Sequence, residues 1–79
     1  MLYLEIISPE KLLFKGEIQI VKLPGTLGSF EIEENHAPII STLAKGKIMV
    51  KDTTGIITFF DVSGGLIESS NNTIKVLVE

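Results

Sequence analysis

The chain has no cysteine, no tryptophan and no arginine among its 79 residues, and only one histidine. Without cysteine there is no disulfide and no thiolate metal cage, so a fold this small rests on packing or on a partner surface. Absence of thiols fits a reducing compartment. The lysines fall singly, from Lys11 to Lys75, and nothing resembles the basic stripe that neutralises phosphates or stacks bases. Nucleic-acid binding is excluded on that ground. The charge balance, 7 basic against 10 acidic residues, gives a net −3 spread along the chain. No apolar run approaches the ~20 residues needed to span a bilayer. The opening, MLYLEIISPEK, lacks a basic segment and reaches acidic residues and a proline too early for a signal peptide. One soluble intracellular domain is expected, with a small core, because a chain of this size buries only about 60% of its unfolded surface.

What the chain does have is alternation with a period near two. Leu2, Leu4 and Ile6 share one face of a first strand, which Ser8-Pro9-Glu10 ends. Leu12–Phe14 predicts a short strand ending near Gly16, and Glu17–Ile20 resumes with its isoleucines inward. Val21-Lys22-Leu23 reverses the phase, the mark of a bulge or of a strand passing between two sheets. Pro24-Gly25 predicts a type II turn, and residues 27–32 and 39–44 read as further strands on either side of a polar loop, Glu33-Glu34-Asn35. Two hairpins close the chain: Lys47–Lys51 with Ile56–Val62, and Leu66–Glu68 with Thr73–Val78 across Asn71-Asn72. No window carries a helical stripe. Short strands with frequent turns predict an all-β sandwich or barrel.

Three features invite a functional reading. His36 stands near Glu31, Glu33 and Glu34, but one imidazole beside solvated carboxylates is a poor metal set. A loop histidine ahead of a structural Pro38 is the better reading, so no metal, no cofactor and no catalytic residue is expected. Ser63-Gly64-Gly65 is followed by a strand and not by a helix, so it lacks the dipole of a phosphate cradle. It reads as a tight corner where another backbone comes close. Third, several strands are apolar on both faces, among them Ile6-Ile7, Ile20-Val21, Ile39-Ile40, Ile56-Ile57, Phe59-Phe60 and Val76-Leu77. A small sheet protein with that surplus docks on a larger protein.

The stretches LPGTLGSFEIEENHAPIISTLAKGKI and FFDVSGGLIESSNNTIKVLVE resemble the N-terminal β-sandwich of the epsilon subunit of F-type ATP synthase. His36-Ala37-Pro38 and Ser63-Gly64-Gly65 carry the likeness, and LEIISPEKLLFKGEIQIVKLPG extends it across residues 1–79. The resemblance implies a flattened sandwich of two five-stranded sheets. It also implies a non-catalytic subunit of the central stalk (rotor), peripheral on the cytoplasmic face of a bacterial inner membrane. There it would link the gamma subunit to the membrane c-ring and couple ion flow to ATP synthesis. Its gamma-subunit interface would fall on Ser8, His36, Ala37 and Ser41, its c-ring contact on Leu27, Gly28, Ser29 and Glu31. Structural turns would lie at Pro24, Gly25, Pro38, Ser63, Gly64 and Gly65. The family often carries an acid at the position of Leu27 or Ser29, and a glycine where this chain has Glu31. Ring-facing charge is therefore expected on Glu31, Glu33 or Glu34. The inhibitory two-helix hairpin that follows the sandwich in most bacterial members is expected to be missing here. Alternatives from other classes are a generic β-sandwich protein-binding module, a carrier domain, for which neither hairpin tip offers a lysine, and a metal-dependent enzyme built on Glu31, Glu33 and His36.

Overall fold

Eight strands and no helix account for the chain, which the computed structural model describes from Met1 to Glu79. They are β1 (Leu2–Ile7), β2 (Leu12–Gly25), β3 (Gly28–Ile32), β4 (Ile39–Leu43), β5 (Gly46–Asp52), β6 (Ile57–Val62), β7 (Gly65–Ser70) and β8 (Thr73–Val78). Alternation in the sequence becomes alternation in burial, cleanest in β8, where Ile74, Val76 and Val78 are buried between exposed neighbours. All eight strands contribute to one core of 15 buried apolar residues. Leu4, Ile6, Val21, Leu23, Ile32, Ile48, Ile67, Ile74 and Val76 are fully enclosed in it. Overall extents of 27 × 24 × 18 Å describe a flattened body.

The long strand β2 joins the two layers. Its first half pairs antiparallel with β1 from Leu12 to Ile18, and its second half pairs with β5 and β3 from Ile18 to Gly25. One layer thus runs β4-β7-β8-β1-β2 and the other β3-β2-β5-β6, with β1 and β8 forming the one parallel pair. The expected count of two five-stranded sheets is corrected to five and four, with β2 counted in both. β4 reaches the second layer only through the single pair Gly25–Leu43.

Two boundaries also differ from expectation. The chain passes through Gly16 without leaving the ladder, since Gly16 pairs with Leu4. Pro24 and Gly25 lie within β2, paired with Ser29 and Gly28, and the turn itself is Thr26-Leu27. Proline is tolerated there because only its carbonyl is needed, accepting from the Ala44 N–H at 2.7 Å. Gly25 is required for space: a Cβ would stand 2.6 Å from the Gly28 oxygen and 2.7 Å from the Phe30 ring. The phase reversal near Val21 is a bulge at Gln19, where pairing steps from Ile18–Asp52 to Ile20–Lys51. It turns Ile20 out to a half-buried position and restores Val21 and Leu23 to the core.

Turn chemistry fixes the two late hairpins. Asn71 and Asn72 both take positive φ, 50° and 60°, as a two-residue type I′ turn demands. At the β5–β6 turn the Asp52 carboxylate accepts from the Thr54 N–H (2.8 Å), the Thr54 hydroxyl (2.7 Å) and the Ile56 N–H (3.0 Å). The Thr54 hydroxyl bond, then the Ile56 amide, hold this carboxyl below its ordinary pKa. A depressed folded pKa contributes stability above the unfolded value, and that contribution is lost as pH falls through the folded one. Asp52→Ala should therefore lower the Tm at neutral pH. In paired thermal melts the gap from wild type should narrow below pH ~4, where the unfolded carboxyl titrates.

Candidate protein-docking site

The loop between β3 and β4 has no apolar residue in the core; every position from Glu33 to Pro38 is exposed. It is shaped by polar ties instead. The His36 N–H donates to the Glu33 oxygen at 3.2 Å, and His36 Nδ1 pairs with the carbonyl of Ala37 at 2.7 Å. Asn35, at φ 66°, donates its N–H to Asn72 Oδ1 at 2.6 Å. Asn72 Nδ2 returns a bond to Asn35 Oδ1 at 3.3 Å. The amino group of Met1 forms an ion pair with Glu34. Glu31, Glu33, Glu34 and His36 do line one shallow open depression. Glu34 and the ring nitrogen Nδ1 are already engaged by these local partners.

Of the positions assigned by resemblance to one partner, the structure brings three to one side. His36 and Ala37 lead into β4, and Ser41 sits midway along it, half-buried, its hydroxyl donating to the Thr42 carbonyl at 3.1 Å. Ser8 is elsewhere: it lies three strands across the layer and at the opposite end of the strands, since the corner is level with the start of β1 and Ser8 follows its end. There its hydroxyl is engaged with both the N–H (3.2 Å) and the carbonyl (3.1 Å) of Lys11. Between Ser8 and His36 lies the outer face of the five-stranded layer.

That face is banded across the strands, a pattern visible only once register is known. Leu66 faces Leu77, Leu77 faces Ile7, and Ile7 faces Leu12, giving one apolar row over four strands. Leu66, Leu77 and Leu12 in this row are 42–50% exposed. The next row alternates in sign, Glu68–Lys75–Glu5–Lys15, with Ile40 at its β4 end. Opposite charges set directly across strands support the sheet and leave the row neutral. The other outer face places Phe59 across from Met49, and Ile57 across from Lys51. The aromatic doublet is thus split between two sides: Phe59 is 60% exposed, while Phe60 meets the Phe14 ring edge-on at 6.1 Å.

The residues Leu27, Gly28, Ser29 and Glu31 do come together, on the β2–β3 hairpin. Leu27 at its tip is fully exposed (103%). The tip is braced against β4 by the Thr26 N–H on the Thr42 carbonyl (3.2 Å) and by the two threonine hydroxyls at 2.7 Å. Glu31 is exposed across from Lys22. The His36 loop and this tip stand at opposite ends of β4, five residues or about 16 Å apart.

The family model for the ATP synthase delta/epsilon chain β-sandwich domain matches residues 1–79. The chain belongs to that family. Within it, the ATP synthase epsilon chain of Caulobacter vibrioides is 39% identical over 80 residues, covering 99% of this chain and 90% of its own length. That of Leptospira borgpetersenii is 38% identical, covering 99% of this chain but 61% of its own. Such an epsilon chain is a non-catalytic subunit of the synthase. Among solved structures, a chain of the Euglena gracilis mitochondrial ATP synthase (OSCP/F1/c-ring) superposes with TM-score 0.91 at 16% identity. A chain of the Tetrahymena thermophila central stalk and c-ring superposes at 0.81 with 14% identity. Both alignments cover 98% of this chain, and 49% and 62% of those chains; at such identities they show the shared fold. The delta/epsilon sandwich accounts for the whole of the architecture described above.

Proposed function

We propose that this epsilon-type sandwich is a rotor element of a bacterial F-type ATP synthase. It holds the gamma subunit on one surface and the c-ring on another, so that ion-driven rotation reaches the catalytic head. The observation that carries this reading is the family match over residues 1–79. Two separate surfaces of the sandwich support this reading. His36 and Ala37 with Ser8 bracket the banded outer face, whose Leu66–Leu77–Ile7–Leu12 row seats gamma, while Ser41 lies on the inner side of β4, level with Ile67. The braced Leu27-Gly28-Ser29 tip, with Glu31 behind it, faces the ring at the other end of β4. The working location is peripheral, on the cytoplasmic face of the inner membrane, with membrane contact only through the complex. Co-expression with the gamma subunit should yield a stable stoichiometric complex on size exclusion; failure to co-purify would overturn the assignment.

A further inference from the structure

From the hydrogen bonds that join two distant turns, we infer that Asn72 is a positioning residue for the His36-Ala37 corner. The inference rests on the proposed gamma contact of that corner. Asn72 holds the second central position of the β7–β8 turn at φ 60°, where glycine is the residue best suited to the backbone. Asparagine there has a use that glycine lacks. Its side chain takes the Asn35 N–H at 2.6 Å and gives a bond back to Asn35 Oδ1 at 3.3 Å, across 37 residues of sequence. Its own carbonyl accepts from the Tyr3 N–H at 2.9 Å, fixing the turn to β1. Asn35 is also at positive φ, 66°, immediately before His36. The amide pair therefore sets where the chain turns into the corner. No buried apolar side chain does so, because residues 33–38 are all exposed. Residues at a docking surface bind best when held in the bound geometry beforehand, since less ordering is then lost on association.

The substitution Asn72→Gly separates the two roles, because it suits the turn while removing the side-chain ties. Amide exchange at Asn35 and His36 should then quicken about tenfold, the scale of two lost hydrogen bonds of modest net strength. Exchange in β7 and β8 should stay as in wild type, and affinity for purified gamma subunit should fall several-fold. Asn72→Asp, which keeps the acceptor for the Asn35 N–H, should recover part of both effects. Unchanged exchange at Asn35 and His36 would overturn the positioning role. Faster exchange with unaltered gamma affinity would overturn its bearing on docking. A wild type that fails to bind gamma would instead overturn the proposed function, while the exchange experiment still decides the role of Asn72.

Discussion

Gly65→Ala should cost this domain about 3 kcal/mol or more, the range reached when the backbone itself must move. Gly65 opens β7, and a Cβ there would overlap the Leu77 carbonyl oxygen and stand 3.2 Å from Val78 Cα. Both obstacles are main chain of β8, which cannot yield without disturbing its pairing with β1 and β7. A domain of this length has of order 4–12 kcal/mol of total stability, so the loss removes much of it. Gly28→Ala is the control. A Cβ at Gly28 meets nothing within 4 Å, and only its φ of 128° resists a side chain. That variant should lose no more than conformational strain, about 1–3 kcal/mol. Urea denaturation of the two variants checks the ordering. Equal stabilities would mean that the Ser63-Gly64-Gly65 corner is not set by the close approach of β8.

Ala37→Trp should weaken the complex with gamma about a hundredfold while leaving the isolated domain folded. Ala37 is exposed in a loop that contributes nothing to the core, so the bulk meets only solvent in the free chain. At an interface that closes over the His36-Ala37 corner it separates the surfaces, and a loss of about 3 kcal/mol is roughly a hundredfold in affinity. The measurement is a pair: a thermal melt of the free domain within a few degrees of wild type, and a titration with purified gamma. Undiminished binding would move the gamma contact away from this corner and toward the Ser8 side of the face.

Much of the fold is legible in the sequence because its strands carry period-two burial, and its Asn and Gly turns obey local backbone preferences. The unreadable part was β2. Gly16 and Pro24-Gly25 are ordinary strand breakers, and only the tertiary setting shows why they are tolerated. Gly16 pairs with Leu4, Pro24 needs only its carbonyl, and Gly25 yields room to Phe30. The reversal at Val21 did carry the signal of the Gln19 bulge. At the candidate docking site, His36-Ala37-Pro38 is a local motif and readable as such. The Asn35–Asn72 tie and the Leu66–Leu77–Ile7–Leu12 row are not, because both depend on register between segments far apart in sequence. Apolar doublets announced that two faces would be apolar, without saying which residues would line up.

The central claim is that this sandwich couples the rotor to the ring, and reconstitution tests it most directly. Synthase membranes stripped of their own epsilon subunit, with the chain added back, can be assayed for ATP synthesis driven by an imposed ion gradient. The account predicts that the wild-type chain binds the gamma–c-ring assembly and restores synthesis, and that Ala37→Trp needs about a hundredfold higher concentration to do either. A chain that leaves synthesis at the stripped level and stays unbound would contradict it.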